Sequence, residues 1–169
     1  MVFEDMLKRY LSKVPQFDSR GRQYDCLRSH VRLSANCLLT THHHNILNQL
    51  TPGGMEKLMQ PVTGAYTRYY NQRHGGEGTL FAGPFRAKPI NSPEQFKWRV
   101  AYVHDNHRGE GFDYRFSTHR YFLDPSSAPS WIDVEQTLAA FGGLDGYLEY
   151  IEARETRARL DRLLRGPQR

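Results

Sequence analysis

Only two cysteines occur in the 169 residues, Cys26 and Cys37, and they lie outside any C-x-x-C spacing. That scarcity argues against a disulfide framework or a thiolate zinc ribbon, and suits a reducing cytoplasm. No run approaches the roughly 18 uncharged apolar residues that would span a bilayer, so no membrane partner is expected. The opening MVFEDMLKRYLSKV has acids where a signal peptide needs bases and lacks a long apolar centre, so export is not expected. Internal repeats and low-complexity stretches are absent as well. Acidic residues are the minority charge, 18 against 23 Lys plus Arg, leaving a net charge of +5. A modest basic excess leans toward a polyanionic partner such as nucleic acid without requiring one. The length suits one domain with a core of its own.

Phe3, Met6, Leu7, Tyr10, Leu11 and Val14 recur at three- and four-residue spacing, which predicts a helix from about residue 3 to 14, stopped by Pro15. HVRLSANCLLTTHHHNIL then reads as two strands joined by a short turn. TPGGMEKLMQPVTGAYTRYYNQRHGG carries a helical apolar stripe that Gly75 and Gly76 should end and Pro61 should kink or split. GTLFAGPFRAKPI reads as an extended segment, interrupted at Gly83 and Pro84. Ser92, Pro93 and Gln95 mark a capped helix start before FKWRVAYVHDNH, with Gly109 and Gly111 as its stop. A short helix near DVEQTLAAF and a charged helix from about Tyr147 to Leu164 complete the chain.

Two patterns carry chemistry. In a strand, His42 and His44 point to one face while His43 and Asn45 point to the other. Two imidazoles on one face can share a metal ion; the plainer reading is a polar turn in water. On the capped helix, Phe96, Val100, Val103 and His107 share the core face, whereas Trp98, Tyr102 and Asn106 share another. Tyr102 and Asn106 are thus i and i+4 neighbours, able to serve one metal-centred site. A boundary tyrosine on an amphipathic helix explains the same residues without function.

Taken together, four stretches in consistent order resemble the REP-associated tyrosine transposases of the single-tyrosine HUH superfamily. VRLSANCLLTTHHHNIL is similar to their strand-turn-strand with the HUH motif. AYTRYYNQRHGGEGTLFAGPFRAKPI is similar to their helix followed by a Phe-rich basic strand. AYVHDNHRGEGF resembles the tyrosine-bearing helix, and SWIDVEQTLAAFGG the tail. The resemblance spans roughly residues 31 to 151. It implies an α+β fold, a ferredoxin-like antiparallel sheet flanked by helices but lacking the first strand, over residues 1–125, with a C-terminal helical extension, 126–169, packed on the same domain. It makes His42 and His44 metal ligands for Mg or Mn, Asn106 the third ligand and Tyr102 the nucleophile. The implied activity is cleavage and rejoining of single-stranded or hairpin DNA through a 5′-phosphotyrosine, in a cytoplasmic, nucleoid-associated protein. Neutral imidazole and amide ligands would leave the ion its full charge for a phosphodiester oxygen. Arg73, Arg86, Lys88, Lys97, Arg99 and Arg108 are the expected phosphate contacts.

The chain departs from the family pattern in four ways. It opens directly on a helix, where family members have a strand first. The middle of the HUH motif is His43 instead of a bulky apolar residue, with Asn45 beyond it, so the opposite face of the strand should be unusually wet. Asn106-His107 replaces Asn-Pro, and Pro84 replaces a basic residue. These departures leave open a catalytically silent relative that binds DNA or RNA, a homodimer that completes the sheet, and a structural zinc site from His42, His44, His104 and His107.

Overall fold

The computed structural model describes residues 2–109 and 114–165, without the side chains of residues 107–109, 114 and 158–165. The predicted helix stop at Gly111 lies outside the described residues. The fold is α+β: helix α1 (Val2–Leu11), strands β1 (Val31–Leu38) and β2 (His43–Gln49), α2 (Gly54–His74), α3 (Pro93–Gly109), α4 (His119–Leu123), α5 (Val134–Ala139) and α6 (Leu144–Arg165). The two strands form an antiparallel hairpin, Asn36 opposite Asn45, Cys37 opposite His44 and Leu38 opposite His43, with an irregularity between Leu33 and Ala35. Among the described residues the sheet has only these two strands. The outer edge of β1 is covered instead by loops: Thr118 N–H donates to the Asn36 carbonyl at 2.9 Å and Asp133 N–H to the Leu33 carbonyl at 2.9 Å.

Local signals explain most boundaries. Gly75 ends α2 at φ 64°, its N–H on the Asn71 carbonyl, a left-handed cap that glycine adopts without steric cost. Pro61 lies inside α2 but does not split it. At the start of α3, Gln95 N–H donates to Ser92 Oγ at 3.1 Å, while Gln95 Oε1 accepts from Asn91 N–H at 2.7 Å. The side chain therefore reaches one residue further back than in the usual capping box. The segment from 79 to 90 forms no strand and is mostly exposed. An extended stretch becomes a strand only when another pairs with its N–H and C=O groups, and Pro84 and Pro89 each remove a donor from it.

One apolar cluster unites the chain. Phe3, Leu7 and Leu11 of α1, Leu33 of β1, Leu58 and Val62 of α2 and Val100 of α3 join Phe122, Trp131, Leu138, Tyr147 and Ile151. The last four place residues beyond 125 in the same core. Arg28 strengthens that connection by pairing with Asp133 and donating to the Ser130 carbonyl at 3.0 Å. Among the described residues no helix is long and apolar enough to cross a membrane.

The start of α2 is packed tightly. A Cβ on Gly54 would lie 2.3 Å from the His30 carbonyl oxygen, a backbone atom that cannot swing aside. Gly54→Ala should therefore destabilise the fold by about 1–3 kcal/mol, read as a lowered urea midpoint with an unchanged slope.

Candidate active site

The hairpin turn and α3 bring the sequence-predicted residues together. Leu39 N–H donates to the His42 carbonyl at 2.8 Å, closing the turn just before β2. The His42 and His44 rings lie 4.9 Å apart between centroids, and the edge of one faces the other. Across the interface, the His44 and Tyr102 rings are 5.7 Å apart. Alternation along β2 aims His44 at α3, and the helical rotation of α3 turns Tyr102 toward it. His42 is exposed, while His44 and Tyr102 are half-buried.

Tyr102 also stacks on Trp98, one turn earlier, at 5.3 Å and an interplanar angle of 10°. The indole is 43% exposed and carries two guanidiniums, Arg99 at 4.9 Å and Arg154 at 5.8 Å from the ring. Such cation–aromatic contacts hold positive charge at a surface that polyanions can reach. Arg154 comes from α6, the charged helix at the end of the chain. It is fixed there by an ion pair with Asp105 of α3. Nothing in the local sequence around residue 154 reports this, because the partners are some fifty positions away.

Two imidazoles and an amide are fewer protein donors than the four of a closed structural zinc site, and imidazole suits borderline cations. Two imidazoles bound to one ion at about 2.1 Å place their ring centres roughly 5 Å apart, and His42 and His44 have that separation. Burial first, and then the neighbouring His42, holds the His44 pKa below its usual value, keeping the ring in the neutral form that ligates. His42 Nδ1 lies 3.1 Å from Thr41 Oγ1, which leaves Nε2 for a ligand. Asn106 follows Tyr102 by one helical turn. Its Nδ2 is buried with no hydrogen-bond partner among the described residues. Turning the amide over exchanges its nitrogen and oxygen, so Asn106 can offer its oxygen in the same place. Among the described residues no cluster of three His, Cys, Asp or Glu joins the pair.

The four-histidine zinc arrangement does not form. His104 is fully buried, with Nδ1 2.8 Å from the Tyr147 hydroxyl and Nε2 3.2 Å from Thr118 Oγ1. Both ring nitrogens are engaged in the core. His107, the fourth member, has a side chain outside the described residues, as does Arg108. Of the other expected phosphate contacts, Lys97 and Arg99 lie on α3 beside Trp98. Arg73 is exposed near the end of α2, and Arg86 and Lys88 are exposed on the irregular 79–90 segment.

On the opposite face of β2, His43 and Asn45 are both half-buried. Asn45 Oδ1 accepts from Asn36 Nδ2 at 2.7 Å, so Asn45 is paired with the buried Asn36. His43 packs against Phe3 at 4.6 Å and Phe81 at 6.0 Å between ring centroids. Burial, and then the two neighbouring imidazoles, lowers its pKa to about 4. The folded protein therefore resists protonating His43, and the stability conferred by its neutral state is complete above about pH 6.5. It is lost progressively as pH falls toward 4, by on the order of 3 kcal/mol. In chelator, His43→Leu should flatten this acid-side loss between pH 6.5 and 4 in urea titrations; an unaltered pH profile would place the loss elsewhere.

No family model, curated protein or solved structure matches this chain.

Proposed function

We propose that the protein is a metal-dependent HUH-type single-strand DNA endonuclease or transposase, acting on single-stranded or hairpin DNA through a tyrosyl-DNA intermediate. The observation that carries this reading is the convergence of His42 and His44 with Tyr102, 5.7 Å from His44 between rings, although nearly sixty residues separate them in sequence. A divalent cation, Mg or Mn, held by His42, His44 and Asn106, would polarise the scissile phosphate. Tyr102 Oη attacks phosphorus. The new O–P bond replaces the bond to the 3′ oxygen, which takes up a proton and leaves as a 3′ hydroxyl, while the phenol gives up its own proton. The phosphotyrosine conserves the ester bond, so a hydroxyl of another strand can reverse the step without a nucleotide cofactor. Arg99 and Arg154 beside Trp98 supply positive charge to hold the phosphodiester backbone. The ferredoxin-like sheet of this superfamily belongs to the same proposal; β1 and β2 would be its HUH hairpin.

Incubating the protein with end-labelled hairpin DNA and Mn²⁺ tests this. A labelled species that survives denaturation and is removed by protease is expected, with Tyr102 as the modified residue in peptide mass spectra. Binding without any adduct under these conditions would favour the alternative, a catalytically silent nucleic-acid-binding relative.

A further inference from the structure

Side chains on an α-helix lean toward its N-terminus, so Tyr102 falls over residue 98, one turn back. That residue is an indole. The two rings lie 5.3 Å apart at 10° to each other, while His44 of β2 meets the same phenol at 73°. Tyr102 is thus held by a parallel ring from its own helix and a crossed ring from the hairpin. The indole has a support of its own. Arg154 of α6 places its guanidinium 5.8 Å from the Trp98 ring and is tied to Asp105, which stands on α3 two turns beyond Trp98. Trp98, Tyr102 and Asp105 therefore form one stripe of α3, and a single arginine from another helix spans its two ends. The side chains of Arg154 and Asp105 are only 25% and 18% exposed, so the planar guanidinium keeps one orientation instead of sampling many.

We infer that Trp98 positions Tyr102, and that Arg154, anchored by Asp105, holds the indole in place to do so. The catalytic consequence rests on the function proposed above; the ordering of the ring does not. A phenol turns about two side-chain torsions, and attack on phosphorus needs its oxygen within about 0.5 Å of the productive place. Stacking removes most of that freedom before DNA arrives. The ion pair separates this role from a plain display of positive charge. Asp105 offsets the charge of Arg154, and an arginine kept only to attract phosphate would act more strongly without that carboxylate.

Three variants and one probe test the inference. Replacing Tyr102 by 3-fluorotyrosine places a fluorine nucleus where the ring current of a stacked indole shifts its resonance. In that background Trp98→Ala sets the position of the unstacked ring. Asp105→Ala should move the resonance most of the way there although the indole is intact, with cooperative unfolding retained. With the natural tyrosine, hairpin DNA and Mn²⁺, both variants should lower the maximal rate of adduct formation about ten- to a hundredfold, the effect of a misplaced reacting group. The DNA concentration giving half that rate should stay within about threefold of wild type. Asp105→Ala discriminates most sharply: it leaves Arg154 its charge, so hairpin affinity should hold or rise while the rate falls. Trp98→Phe keeps a ring to stack on and should recover the rate to within about fivefold of wild type.

A fluorine resonance unmoved by Asp105→Ala overturns the inference. So does a Trp98→Ala protein that binds hairpin weakly yet reacts at the wild-type maximal rate, because the indole would then be a DNA contact. The two proposals fail separately. A wild-type protein that forms no adduct removes the cutting chemistry, and the fluorine spectra still decide whether the ring is held. An adduct whose maximal rate is indifferent to Trp98 and Asp105 keeps the chemistry and removes the positioning.

Discussion

Tyr102→Phe should reduce the covalent DNA adduct by more than about a thousandfold, below detection, because it deletes the attacking oxygen and nothing else. Phenylalanine keeps the ring that stacks on Trp98 at 5.3 Å and faces His44 at 5.7 Å, so the fold and hairpin affinity should stay within about twofold of wild type. The guanidiniums of Arg99 and Arg154, which lie over the indole and not over the phenol, remain to bind phosphate. Denaturing gels of both proteins with labelled hairpin and Mn²⁺ read the first effect, and equilibrium binding reads the second. An undiminished adduct in Tyr102→Phe would assign the nucleophile to another tyrosine and dissolve the proposed site, Tyr66, Tyr69 and Tyr70 being next in line by sequence. Of these, Tyr66 is handicapped, since burial and its tyrosine neighbours raise its pKa and so disfavour the phenolate.

Tyr147→Ala should cost about 4 kcal/mol, the largest stability effect expected of a single substitution here. The side chain is fully buried and packs on Phe122 at 5.2 Å, Phe141 at 5.1 Å and His104 at 5.9 Å between ring centroids. Truncating a buried aromatic ring to alanine costs about 3–5 kcal/mol through lost burial and the cavity left behind. The variant also deprives the His104 imidazole of a 2.8 Å hydrogen bond in a site without water access. Against a typical total of about 5–15 kcal/mol, such a loss brings the protein near its unfolding threshold. Tyr147→Phe isolates the hydrogen bond and should cost about 1–3 kcal/mol. Chemical denaturation of the three proteins orders them; a Tyr147→Ala protein as stable as wild type would mean that α6 is not part of the cooperative core.

The sequence disclosed the elements because their signals are local. The S-P-x-Q start of α3 and the glycine stop of α2 act within a single turn. The His42/His44 pairing on one side of the chain follows from the alternation of a strand. The polar face of β2 stays half-exposed at His43 and Asn45, but the sequence could not show that the partner of Asn45 is Asn36, on the neighbouring strand. His43 likewise rests on Phe3 from α1. The core face of α3 was only partly legible. Val100 and Val103 are buried as expected, but Ala101 and His104 join them, because α6 supplies a tyrosine hydroxyl that lets an imidazole be buried without losing its hydrogen bonds. The Phe-rich segment from 79 to 90 had the composition of a strand, yet pairing is a property of two segments, and no partner meets it among the described residues.

Periodicity, capping residues and turn glycines acted over a few positions, and they alone set which residues are helical, which are extended and which side chains share a face. Packing decided the rest: that Tyr102 meets His44, that Arg154 reaches Trp98, that His104 is a core residue and not a ligand, and that three tyrosines of α2 border an open slot. Each of those outcomes couples residues tens of positions apart, and such couplings depend on how all the apolar faces are buried together. No short stretch of chain contains that information, because burial is a collective property of the folded molecule.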